Sequence, residues 1–211
     1  MKNSICIFPK EKSTEFLQPI YDILISSGVT GYNIDTTIAE EKAKLLKDLK
    51  NSILKDDAVY FLGHGTSYCL YGTNMEELIN KWNINILKGK RLFLLSCRST
   101  DLIKSKKYKN AIGFPDLPTS MDDILDIRTN EDPDYLKGID EDDINAYNES
   151  LIRIICSALK HSDLSDTSRF ESKIRMYANI EIVKLLTEKP ALHYRDIANL
   201  IYEFKTDMIS A

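Results

Sequence analysis

With 211 residues, 43% of them apolar and 28% charged, the chain is sized for one folded unit around a single core. A formal net charge of −4 is the wrong sign for a general nucleic-acid binder. No apolar run approaches the roughly 20 residues of a membrane helix, so neither nucleic acid nor a membrane is an expected partner. Residues 1–8 are too short, and too soon followed by Lys10, Glu11 and Lys12, for a signal peptide, and the cytoplasm is the expected location. The four cysteines (Cys6, Cys69, Cys97, Cys156) are scattered with no C-x-x-C, and the three histidines lack metal-ligand spacing. No metal and no cofactor is expected.

Residues 4–8 (SICIF), closed by Pro9, read as a buried first strand. Over 13–26, Phe16, Leu17, Ile20, Ile23 and Leu24 recur at spacings of three and four, predicting a helix opened by Ser13 and closed by Gly28. Residues 31–34 predict a short second strand, and 37–54 a helix lined by Ile38, Leu45, Leu46, Leu49 and Ile53. Residues 58–62 (AVYFL) are the strongest strand and run straight into Gly63-His64-Gly65. A short extended segment at 67–71 follows. Asn74 then predicts the cap of a helix through Trp82, with Met75, Leu78, Ile79 and Trp82 facing inward.

Residues 91–95 (RLFLL) predict a strand ending in Ser96-Cys97, and 110–114 (NAIGF) a shorter one before a turn at 115–118. From 122 to 143 stand ten acidic residues, with Arg128 and Lys137 the basic ones and Pro133 and Gly138 among them. Such a composition predicts a loop or a partly disordered insertion. Helical patterns follow at 142–159, 170–186 and 194–208. Strands alternating with helices predict an α/β fold: a mainly parallel sheet covered by helices on both faces, with a helical C-terminal third. The expected organisation is one domain over 1–211, with a sheet core at 1–125, an acidic loop at 126–141 and a helical part at 142–211.

Ligands of an open parallel α/β sheet bind outside the carboxyl ends of its strands. His64 and Cys97 each stand just past the carboxyl end of a strongly apolar strand, and the two strands are expected to be neighbours. A nucleophile and its base need that placement, since an imidazole beside a thiol lowers its pKa or accepts its proton. Gly63 and Gly65 would let the backbone turn sharply at the histidine. The backbone amides of Gly65 and Cys97 are the expected donors to a developing oxyanion.

The run from Ala58 to Gly65, followed by Leu92-Phe93-Leu94-Leu95-Ser96-Cys97, resembles the caspase-like (clan CD) cysteine peptidases, of the CHAT and caspase-hemoglobinase type. Their shared mark is a strand, His-Gly, then a second strand ending in a small residue and Cys. Residues 68–72 stand where CHAT-like domains carry a short hairpin, and 111–114 where they carry the next strand. The resemblance covers roughly residues 1–125. It implies a cysteine endopeptidase making limited cuts in a protein substrate, regulatory or defence-related, with His64 as general base, Cys97 as nucleophile and the Gly65 amide as oxyanion donor. It also allows for an activating protein partner. Relatives that prefer a basic residue before the cut carry an acid two positions before the cysteine; Leu95 stands there, and Ser96 replaces the usual Ala.

The other candidates have ordinary explanations. Cys69 sits in an alternating Tyr-Cys-Leu-Tyr segment and reads as packing, as do Cys6 and Cys156 in their apolar runs. His161 and His193 fall at helix ends. Asp116 is a candidate substrate-binding residue, although its place in a turn explains it too. Acids 140–143 lack the ligand alternation and central glycine of a calcium loop, and Arg128 and Lys137 are candidate self-cleavage sites in an exposed segment. A cysteine phosphatase would need Arg where Ile103 stands, a hydrolase elbow would need glycines around Cys97, and dinucleotide binding would need a glycine-rich loop where Pro9 and Lys10 stand. The rival from another class is a non-catalytic caspase-like binding or signalling module, working through the helices at 170–186 and 194–208.

Overall fold

The computed structural model describes residues 4–51 and 57–211. In chain order its first half runs β1 (Ser4–Pro9), α1 (Gln18–Ser26), β2 (Thr30–Ile34), α2 (Ala39–Asn51), β3 (Ala58–Leu62), β4 (Leu70–Tyr71), β5 (Glu77–Ile79) and β6 (Arg91–Leu95). The second half runs α3 (Ser99–Lys106), β7 (Ala111–Gly113), α4 (Met121–Asn130), α5 (Glu141–Leu159), α6 (Thr167–Glu188), α7 (Tyr194–Asp207) and β8 (Ile209–Ser210). Six strands form one sheet in the order β2-β1-β3-β6-β7-β8, parallel throughout except that β8 returns antiparallel to β7. The fold is α/β with a mostly parallel sheet.

Period-two alternation decides which face each side chain joins. Cys6 and Phe8 of β1, Tyr60 and Leu62 of β3, and Phe93 and Leu95 of β6 join a cluster completed by α1, α5, α6 and α7. The intervening Ile5, Ile7, Val59, Phe61, Leu92 and Leu94 join a second cluster with Leu45 and Leu49 of α2 and Leu102 and Ile103 of α3. Both faces are therefore covered, which is why β3 reads as an unbroken apolar run. Phe93 anchors the larger cluster, with ring centroids 5.4 Å from both Phe114 and Phe170; Phe114 in turn stacks on Phe204 at 4.9 Å. Among the described residues no helix is long and apolar enough to cross a membrane.

Three predicted elements take another form. The helix expected over 13–26 is a 3₁₀ turn, Lys12–Leu17, followed by α1. Pro19 has no N–H to bond to Glu15, so an α-helix cannot run through it and begins afresh with the proline in its first turn. Glu11, not Ser13, caps the turn, its side chain accepting from Lys12 N. Of the residues assigned to the second helix, Leu45 and Leu49 are buried and Ile38 is exposed, while Ile53 and Leu54 lie outside the described residues.

The helix expected from Asn74 to Trp82 is instead the second arm of a hairpin, β5 pairing antiparallel with β4. Asn74 and Met75 both sit at positive φ (54° and 57°), and Trp82 is 83% exposed. Leu78 and Ile79 are both buried because the hairpin lies flat against the sheet's second cluster. Burial on two sides overrode the helical spacing.

The acidic segment is a loop only over residues 131–140; the rest of it is helical. Ser120 and Asp123 form a reciprocal capping box that starts α4, and Asp140 and Asp143 form another that starts α5. Ile124, Ile139 and Ile144 make a small core of their own beneath the acids. In the turns between, Arg128 donates from Nε to the Tyr135 carbonyl at 2.8 Å and from its terminal nitrogen to that of Leu136. Its guanidinium holds the turns together and is not displayed for cleavage. Lys137 is exposed and pairs with Asp134. The sequence reading named neither α3 nor β8.

Candidate active site

β3 and β6 pair in register from Ala58 with Arg91 to Leu62 with Leu95, and Gly63 N continues the ladder by donating to Leu95 O at 3.2 Å. His64 and Cys97 therefore leave adjacent strands at the same level of the same edge. Both line a cleft of about 350 Å³ whose walls include Gly65, Tyr71 and Met75 on the hairpin side and Asp116, Leu117, Asp123, Asp126, Ile127 and Glu131 on the other. A larger hollow of about 550 Å³ at the ends of β1 and β2 is lined by Lys10, Lys12, Glu11 and Glu15, whose charges offset one another; it holds no nucleophile.

Cys97 sits in a turn fastened by Ser99. The buried Ser99 hydroxyl reaches Leu94 O at 2.7 Å and Ser96 O at 2.9 Å, and accepts from Phe114 N at 2.8 Å. Arg98, the next residue, stands at φ 53° and caps α3, a left-handed position that a non-glycine side chain rarely adopts. The Cys97 thiol donates to Leu117 O at 3.5 Å, and burial, with the carboxylates of Asp123 and Asp116 adding to it, pushes its pKa up to about 12.

His64 makes its own contact, Nε2 to Ser13 Oγ at 2.7 Å. Burial pulls its pKa below the ordinary histidine range, opposed by the charges of Asp123 and Glu11. The imidazole is accordingly neutral near pH 7, the form that can accept a proton. No hydrogen bond joins His64 to Cys97 among the described residues: the two share a cleft, and each holds a different partner.

The amides of Gly65 and Cys97 have no acceptor among the described residues, whereas neighbouring amides do: Thr66 N donates to Cys69 O, Ser96 N to Leu94 O and Arg98 N to Pro115 O. Neither Gly63 nor Gly65 adopts positive φ, so the sharp turn expected of them is not what requires a glycine. A Cβ on Gly65 would come within 2.7 Å of Ser96 Oγ and 3.0 Å of Ser96 Cβ. Close approach of the two strand-end loops demands the missing side chain. Ser96 itself is 1% exposed, and its hydroxyl has no partner among the described residues.

Asp116 lines the cleft wall, but both its oxygens accept from Arg98 Nε, at 2.9 and 3.0 Å, while the same guanidinium reaches Glu131 at 3.2 Å. Asp123 is tied to the cap of α4, accepting from Thr119 N and Ser120 N. Cys69 is buried in the hairpin base with its thiol pushed up to about 11 by burial, and it lies outside the cleft. Acids 140–143 serve the start of α5; among the described residues no group of side chains could hold a metal ion. His161 donates from Nδ1 to Ser157 O, 2.9 Å away at the end of α5, and His193 pairs with Asp196.

Ser13, Arg98 and the carboxylates of α4 are site residues that the sequence reading missed. The Ser120-to-Asp123 spacing was a usable capping signal for α4. No local signal marks Ser13 or Arg98, because both matter through contacts across the sheet edge. Comparison of the chain with protein-family models, with curated proteins and with solved structures finds no match.

Proposed function

We propose that this chain is a cysteine peptidase of the caspase-like type, making limited cuts in a protein or peptide substrate. The observation that carries this reading is the in-register pairing of β3 with β6, which sets His64 and Cys97 side by side at the mouth of one cleft. In the reaction His64 takes the Cys97 proton and the thiolate attacks a peptide carbonyl. The C–N bond then breaks as the imidazolium returns that proton to the leaving amine, and water, deprotonated by His64, hydrolyses the thioester to release the acid and the free thiol. The amides of Gly65 and Cys97, which have no acceptor among the described residues, receive the oxyanion. The hairpin after His64-Gly65 also agrees with the CHAT-like pattern.

As it stands the thiol is protonated, half-buried and turned to Leu117 O. Attack needs that contact to open, so the loop at 115–120 and α4 behind it are where a substrate or an activating partner acts. The cleft rim carries Asp116, Asp123, Asp126 and Glu131 against one Arg98, a surplus that favours a substrate segment bearing lysine or arginine.

A limiting dose of iodoacetamide followed by intact-mass and peptide mapping tests the reading. Cys97 is expected to be alkylated at a rate that His64→Ala lowers at least tenfold. Alkylation of Cys97 at the same slow rate with and without His64, together with no cleavage of a mixed peptide library, would sink it. The second reading, a non-catalytic caspase-like binding module, draws on one observation. Met176, Ile180 and Val183 form an exposed apolar stripe on α6, with Ile180 at 53% and Val183 at 60% exposure.

A further inference from the structure

We infer that Ser13 is the positioning residue of this site, holding His64 Nε2 so that Nδ1 is the nitrogen that serves Cys97. The inference rests on the reading of His64 as general base. β1, β3 and β6 are three consecutive parallel strands of the sheet, and the chain just beyond each carboxyl end supplies Ser13, His64 and Cys97 in turn. An imidazole works as a base toward one partner only when its other nitrogen is held, because a free ring exchanges tautomers and rotates. His64 has one such hold among the described residues, the 2.7 Å contact of Nε2 with Ser13 Oγ; Nδ1 has no partner there.

The hydroxyl accepts from Nε2–H and directs its own proton to solvent, which the exposed position of Ser13 permits. Nδ1 then carries the lone pair. When it takes the proton from Cys97, the products are a thiolate and an imidazolium whose Nε2–H still donates to Ser13. No bond to Ser13 need break during the transfer.

Ser13 has no cap to make, since Glu11 starts its turn and Thr14 bonds back to the Glu11 carbonyl. Its replacement should therefore leave the fold intact, with a melting temperature within about 2 °C of the wild type. The direct test is the tautomer of His64, read from long-range ¹⁵N–¹H spectra of the labelled full chain, with His64→Ala identifying its signals among the three histidines. The neutral ring is expected to be protonated at Nε2 in the wild type, to become a tautomer mixture in Ser13→Ala, and to recover in Ser13→Thr.

Alkylation of Cys97 across pH 5–9 is the second readout. Its plateau is expected to fall about tenfold in Ser13→Ala and to return in Ser13→Thr. A wild-type ring protonated at Nδ1, or a tautomer unmoved by Ser13→Ala, overturns the inference whatever the activity. A His64-dependent thiol with Ser13-independent alkylation also removes it and leaves the peptidase reading standing. The expected tautomer with alkylation indifferent to His64 upholds the Ser13 hold and removes the peptidase reading instead.

Discussion

The strands β3 and β6 and the loops that leave them differ sharply within a few residues. Inside the strands every side chain from Ala58 to Leu62 is buried, and the two backbones bond in register. Just beyond, among the described residues, buried Ser96 Oγ has no partner and the Gly65 and Cys97 amides have no acceptor, while Arg98 sits at positive φ and the Cys97 thiol, with a pKa pushed up to about 12, keeps its proton. Local rules are obeyed in the strands and broken at their ends. Such exceptions persist only where surrounding structure over-determines them, and they gather where function is. The contrast teaches that stability and chemistry are separable here over a distance of two or three residues.

Substitutions can break that separation or sharpen it. The largest effect on chemistry belongs to Cys97→Ala, expected to abolish peptide cleavage and alkylation at that position while urea unfolding shifts by no more than about 1 kcal/mol. Retained turnover would remove the mechanism. Phe93→Ala is its mirror image, four positions earlier. Losing the ring between Phe114 and Phe170 should cost about 3–5 kcal/mol in urea unfolding, with the chemistry intact in whatever fraction remains folded.

Gly65→Ala should cross the divide. The added Cβ meets Ser96, so a loss of about 1–3 kcal/mol should accompany slower alkylation of Cys97. Combining it with Ser96→Gly should cost less than the two single changes summed, since the clash is gone; simple additivity would show that the contact does not matter. Linkage gives a smaller effect. The Cys97 pKa is raised from 9.0 to about 12, so its contribution is whole below about pH 9 and is lost as pH rises toward the folded value. Wild-type stability should then fall more steeply above pH 9 than that of Cys97→Ala, by at most about 1.4 kcal/mol per pH unit for one group. Equal slopes would mean the thiol is not perturbed. Smallest is Ser96→Ala, which removes a buried hydroxyl with no partner among the described residues and should be neutral or stabilising by up to about 1 kcal/mol; a clear loss would reveal a hydrogen bond to that oxygen.

Periodicity by itself determined the parallel strands, the three C-terminal helices and the place of His64 and Cys97 just past two strand ends, because apolar runs of four to six residues and 3.6-residue stripes are local properties of a chain. It failed where burial was two-sided, as at Leu78 and Ile79, and where charge outweighed a capping signal, as at Ser120 and Asp123. Only the tertiary structure decided who touches whom at the sheet edge: Ser13 on His64, Leu117 O on Cys97, Arg98 on Asp116, Gly65 against Ser96. Those partners lie 18 to 51 residues apart along the chain. Nothing in a residue's near neighbours records a contact that exists only once separate strands have ended at the same level.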